Sequence, residues 1–258
     1  MLVLSIDRWL LNHLFCRKRI FTIDIDKCVD EFGNSFGSNG DHHFVKALNK
    51  GEDFESLCKY LKDFYKKTHI SSFGEFVSDK DKKFIDKYFC PWELDRIRNI
   101  DKFISSHKIG PTSDSALETI VNRLLRILNS IRNKGFKTFF KFDGYPRVIE
   151  LEDENRNILY LVRDGNHRLS VLSHLGYKKI KVCYEKDHWN PSIALKMLFK
   201  FLKRKEFKIS EKFIYRVSYN NAHNWALVKN KFVNIELAKK YFMKTYSKAF
   251  NNYYEKSS

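Results

Sequence analysis

Residues 147–184 read RVIELEDENRNILYLVRDGNHRLSVLSHLGYKKIKVCY, and this stretch decides the fold. Arg147-Val148-Ile149-Glu150-Leu151 and Ile158-Leu159-Tyr160-Leu161-Val162 are rich in β-formers, and Glu152-Asp153-Glu154-Asn155-Arg156 between them is polar and turn-like. Together they predict a β-hairpin. The loop Asp164-Gly165-Asn166-His167-Arg168 follows, then a helix with Leu169, Leu172 and Leu175 as its inward stripe. Gly176 closes that helix, and Ile180–Tyr184 predicts another strand.

Upstream, Ile109–Asp114 is a turn, and Ser115 with Glu118 has the spacing of a capping box. The helix that starts there runs to about Asn133, with Ile120, Leu124, Ile127, Leu128 and Ile131 at intervals of three and four; Gly135 ends it. Further helices are predicted over 1–20, 57–65, 84–90 and 92–104, with a break at Cys90-Pro91. The Gly- and Ser-rich run Phe32–Asp41 is a loop, and His42 and His43 at its edge are expected to face solvent. After Asn190-Pro191 the chain is basic and helical, through 195–201 and 235–250. No internal repeat is evident. The pattern gives an α+β protein: a mainly helical region over 1–104, a small mixed sheet with helices over 105–190, and a helical extension over 191–258.

The loop carries the chemistry. A helix that starts near His167 presents unpaired backbone N–H groups and the positive end of its dipole. Gly165 lets backbone approach a ligand, Arg168 offers a forked cation for phosphate oxygens, and His167 adds a donor. These ingredients make an anion site, most simply for a nucleotide phosphate. Asp164 has three open roles: helix cap, magnesium ligand beside phosphates, or base toward a hydroxyl nucleophile. Thr112 and Ser113 are candidate second-wall contacts. Ser170, one turn into the helix, is a further candidate donor, and Arg147 either lines the pocket or flanks the turn.

Tyr160–Val182 resembles the core of the ParB/sulfiredoxin superfamily, and the helix with Leu128-Asn-Ser-Ile-Arg-Asn-Lys-Gly135 resembles the one leading into that family's sheet. The resemblance spans about 105–185, and the stretch is particularly similar to ParB-like proteins found with surface-polysaccharide genes. It implies nucleotide phosphates held by Gly165, Asn166, His167 and Arg168, with ATP or CTP and Mg2+ as cofactor and Asp164 as metal ligand. It also implies Asp164 and His167 as catalytic groups in a small-molecule kinase or nucleoside triphosphatase. Asn166 stands where sulfiredoxins carry their reactive cysteine, which removes sulfinic-acid reduction. The kinase branch needs an acidic base, for which Glu118, Glu150 and Asp164 are the candidates. The alternatives are a nucleic-acid-binding regulator switched by nucleotide and a non-catalytic partner of surface-glycan enzymes.

Composition sets the outer bounds. The chain has 258 residues, 43% hydrophobic and 31% charged, with no run of the roughly 20 apolar residues that span a bilayer. Met1–Ile6 is apolar, but Asp7 and Arg8 interrupt it, unlike a secretory signal. The basic helix expected over 1–20 leaves contact with a membrane surface open. Five scattered cysteines without a Cys-x-x-Cys pair point to ordinary core residues in a reducing cytoplasm. A net charge of +17 favours anionic partners, nucleic acid included, although AT-rich coding also enriches lysine.

Overall fold

The computed structural model describes residues 20–67, 92, 112–136, 145–184, 216–229, 231 and 233–255. The helices read at 1–20, 84–90, 92–104 and 195–201 lie outside the described residues, apart from Ile20 and Trp92.

The predicted hairpin is β3 (Arg147–Glu152) against β4 (Ile158–Asp164), antiparallel from Glu152↔Ile158 to Arg147↔Asp164. Two strands near the front of the chain join it: β1 (Ile20–Asp24) and β2 (Cys28–Val29). Among the described residues the fold is α+β, with a mixed six-stranded sheet in the order β1-β5-β3-β4-β2, where β5 is Lys179–Tyr184. The sixth, β6 (Arg216–Ser218), lies parallel to β3 beside Glu150–Glu152, while β5 lies parallel to it at Arg147–Val148. Two separate segments thus share one edge of β3.

Successive residues of a strand face opposite sides, so a sheet covered on both faces needs apolar residues at nearly every position. Val148, Val162, Ile180 and Val182 pack with helices α1 (His43–Lys50), α2 (Phe54–Lys67), α3 (Asp114–Lys134) and α4 (Asn166–His174). Ile149, Leu151, Leu159 and Leu161 instead meet Trp92, Trp225, Phe242 and Tyr246. Phe242 and Tyr246 belong to α6 (Ile235–Tyr254), which follows the short α5 (Ala226–Lys229).

Helix boundaries follow local chemistry, and the start of α3 shifts from the sequence reading. The cap of α3 is Ser113, which accepts from the Ala116 N–H at 3.3 Å, two residues before the expected Ser115. A serine before each of two adjacent turns satisfies the same rule, and the acidic Asp114 in the first turn favours the earlier start. The C-terminal end of α6 is pinned by Tyr254, whose hydroxyl accepts from Ile158 N–H and donates to Ile158 O, both at 2.9 Å. Lys27 Nζ adds a third bond at 3.3 Å. Tyr254→Phe is expected to cost about 1–2 kcal/mol, read as a lowered urea midpoint at unchanged slope.

One turn occurs twice. In Asp153–Asn157, Asp153 Oδ1 accepts from the N–H groups of Asn155 and Asn157, and Oδ2 accepts from Asn157 Nδ2. Asp30 makes the same three bonds to Phe32, Asn34 and Asn34 Nδ2. The fourth residue of each turn has positive φ, Gly33 at 78° and Arg156 at 65°. Asp-Glu-x-x-Asn is thus the sequence of both turns, and the first bends the chain back after β2 to a bridge at Val29↔Ser35.

Candidate functional site

Strand β4 delivers Asp164 to the start of α4, and Gly165 makes the turn at φ 101°. A Cβ on Gly165 would come within 2.9 Å of the Pro146 Cβ. Glycine is therefore required by the backbone angle and by Pro146, before any ligand is considered. No side chain caps α4, so Asp164 is not its cap.

Asp164 instead faces two arginines. Arg147 Nη2 donates to its Oδ2 at 3.1 Å, and Arg168 Nη2 lies 4.0 Å from its Oδ1. The antiparallel register explains the first contact, since Arg147 and Asp164 are paired residues of β3 and β4. The i,i+4 relation explains the second. Arg147 and Asp164 are about half exposed, whereas Arg168 is 12% exposed. Two guanidiniums thus lie beside one carboxylate at the start of α4. Asp164 is therefore a counter-ion to both arginines, with its Oδ2 engaged by Arg147.

Asn166 and His167 are partly buried. The His167 ring is partly exposed and lies 4.5 Å from that of Phe44 in α1, with Nε2 closed to solvent. Asn166 Oδ1 is buried and accepts no hydrogen bond from the described residues. Ser170 is also turned inward, fully buried with its hydroxyl 3.2 Å from His42 Nδ1, so it is no phosphate donor. The Ser113 hydroxyl caps α3, and Thr112 precedes it.

Of the three proposed bases, only Asp164 stands at the loop. Glu118 is exposed on α3 beside Cys58, whose thiol it helps push up after burial. Glu150, the second candidate, is 5% exposed. It accepts from the Tyr184 hydroxyl and from Arg216 Nε, the latter at 2.6 Å. Both oxygens are occupied, which removes it as a base.

His42 and His43 are buried, contrary to the solvated loop edge expected, and Asp30 lies against them. Ligand atoms of the three residues fall within 4.8 Å of one another, and one carboxylate with two imidazoles suits zinc. The hydrogen bonding does not. The Phe44 N–H donates to His42 Nδ1 at 3.2 Å, capping α1, so that nitrogen carries the lone pair. The ring proton then sits on Nε2, which faces Asp30 Oδ2 at 3.9 Å. A metal on Nε2 would force a proton onto Nδ1, directed at another N–H. Adding zinc or EDTA is accordingly expected to leave the melting temperature unchanged; a clear rise with stoichiometric zinc contradicts this assignment.

Burial pushes the Asp30 carboxyl up to about 7, against the hydrogen bonds from Asn34 and Phe32 and with help from Glu31. The unfolded carboxyl ionises near 3.9. Between those values the folded state holds the extra proton, so the contribution of Asp30 to stability falls as pH rises from about 4 to 7 and levels off above. The expected result is an Asp30 carboxyl carbon that titrates near neutrality by NMR. Titration near 4 contradicts it.

The chain matches no family model, no curated protein and no solved structure.

Proposed function

We propose that this protein binds a nucleotide through the Asp164–Arg168 loop, in the manner implied by its resemblance to the ParB/sulfiredoxin superfamily. Its activity in this reading is transfer of phosphate from ATP or ADP to a small hydroxylated molecule, with CTP as the other nucleotide to be compared. The observation that carries the proposal is the Arg147–Asp164–Arg168 arrangement at the uncapped start of α4. A phosphate there would meet helix N–H groups and two guanidiniums that Asp164 already aligns, so little reorganisation accompanies binding. The nucleotide would bring its own magnesium. Phosphoryl transfer asks for positioning and charge neutralisation more than for covalent chemistry, and the two arginines supply both.

The nucleic-acid reading draws on a different surface. Lys240, Lys244 and Lys248 are exposed at four-residue spacing on α6, although Asp41 engages Lys248 at 2.7 Å. Binding there would weaken steeply with salt. Among the described residues no helix is long and apolar enough to cross a membrane.

Calorimetric titration with ATP, ADP, CTP and GTP in the presence of magnesium tests the proposal. Saturable binding of at least one nucleotide is expected. No binding by any of the four overturns it.

A further inference from the structure

The opposite end of the β3–β4 hairpin, five register steps or roughly 17 Å from Asp164, holds an open cleft of about 370 Å3. Glu152, Arg156, Arg216, Ser218, Asn220 and Asn221 line it, and none is apolar. We propose that this cleft is a second binding site, for a small neutral polyhydroxylated molecule of about one sugar ring.

Its floor is preorganised. Arg216 gives Nε to the buried Glu150 at 2.6 Å and Nη1 to Glu152 at 2.9 Å, which leaves Nη2 uncommitted among the described residues. Ser218 donates to the other oxygen of Glu152 at 2.8 Å. Burying the Glu150 carboxylate is costly, and the arrangement fixes one arginine fork against the cleft. That network alone would serve to hold β6 against β3. It does not account for the remaining groups.

Arg156 stands at the hairpin tip with left-handed φ and no ion pair among the described residues. Asn221 breaks the 3-10 turn Tyr219–Asn224 with φ −106° and ψ 26°, and its amide makes no hydrogen bond among the described residues. Asn220 gives one N–H to Glu154 O at 3.3 Å and keeps its carbonyl oxygen.

Ligand class follows from charge and from the spare bonding groups. The cleft wall mixes both signs, Arg156 and Arg216 with Glu152, and Glu150 and Glu154 lie beside it. Both Glu152 oxygens already accept, and guanidinium and amide N–H groups remain, together with amide carbonyl oxygens. Hydroxyl groups, which accept and donate without charge, match that set, and no apolar side chain lines the cleft to favour a lipid tail. The volume sits at the low end of small-molecule sites, about 300–1,000 Å3, and suits a single ring.

The test is an NMR titration of the full isotopically labelled chain with D-glucose, D-ribose and myo-inositol, each to about 50 mM, a range suited to millimolar binding. At least one is expected to shift the amides of 152–156 and 216–221 to saturation. Arg156→Ala and Asn221→Ala lie outside the Glu150 network and should each weaken binding about tenfold, roughly 1.4 kcal/mol, at unchanged melting temperature. Arg168→Ala should leave it untouched, so this result is separate from the fate of the nucleotide proposal. No response to any of the three, response confined to Asp164–Arg168, or binding that survives both cleft substitutions overturns the inference.

Discussion

Arg168→Ala is expected to weaken nucleotide binding by about 10–100-fold while the protein remains folded. A hydrogen bond to a charged group contributes about 1.5–3 kcal/mol, and each 1.4 kcal/mol is a factor of ten. The Arg168 side chain is 12% exposed, so a phosphate oxygen reaching it competes with less water than one at Arg147, which is 49% exposed. Arg147→Ala should therefore cost less. Arg168→Lys should recover only part of the affinity, because an ammonium keeps the charge and loses the fork. Calorimetry on the three variants checks the order, and equal affinity across them would show that the phosphate binds elsewhere.

His42→Ala is expected to lower stability by about 3–4 kcal/mol, because the ring does several jobs at once. It stacks between Phe36 at 4.1 Å and His43 at 4.4 Å, caps α1 through Nδ1, and meets the hydroxyl of Ser170 on α4. Truncating a buried ring of this size leaves a cavity, and loss of the cap adds about 1 kcal/mol. Asparagine is a good N-cap, so His42→Asn should recover the capping share and leave the cavity share lost. Because α1 carries Phe44 against His167, the loss also loosens the base of the phosphate loop. Denaturant unfolding of both variants measures the two shares, and a loss below about 1 kcal/mol in His42→Ala would contradict the packing described.

The unit over 147–184 was legible because its signals are local. Two apolar runs, the polar turn between them, Gly165, the leucine stripe and Gly176 each specify the backbone near themselves. What escaped depends on contacts between distant segments. Ile20–Asp24 is five residues long, and its partner is β5, about 160 residues on, so pairing rather than periodicity makes it a strand. The first hundred residues therefore read as mainly helical when two of the six strands come from them. Glu150 alternates with apolar neighbours like a solvated strand residue; only the arrival of Tyr184 and Arg216 on the same edge of β3 buries and pairs it. The burial of His42 likewise required Asp30 to fold back. A signal for that was present: Asp30–Asn34 repeats the Asp-Glu-x-x-Asn pattern of the hairpin turn at Asp153–Asn157, which marks a second turn after β2. At the candidate site, sequence located the loop and its cationic character, but not the partnership of Arg147 with Asp164 or the inward turn of Ser170.

The most direct measurement is an amide-resolved NMR titration of the labelled protein with magnesium ATP. The account predicts that the largest saturable shifts fall on Gly165, Asn166, His167 and Arg168, with Arg147 following, and that they vanish in Arg168→Ala. Shifts centred on another segment, with these amides unmoved at saturation, would contradict it.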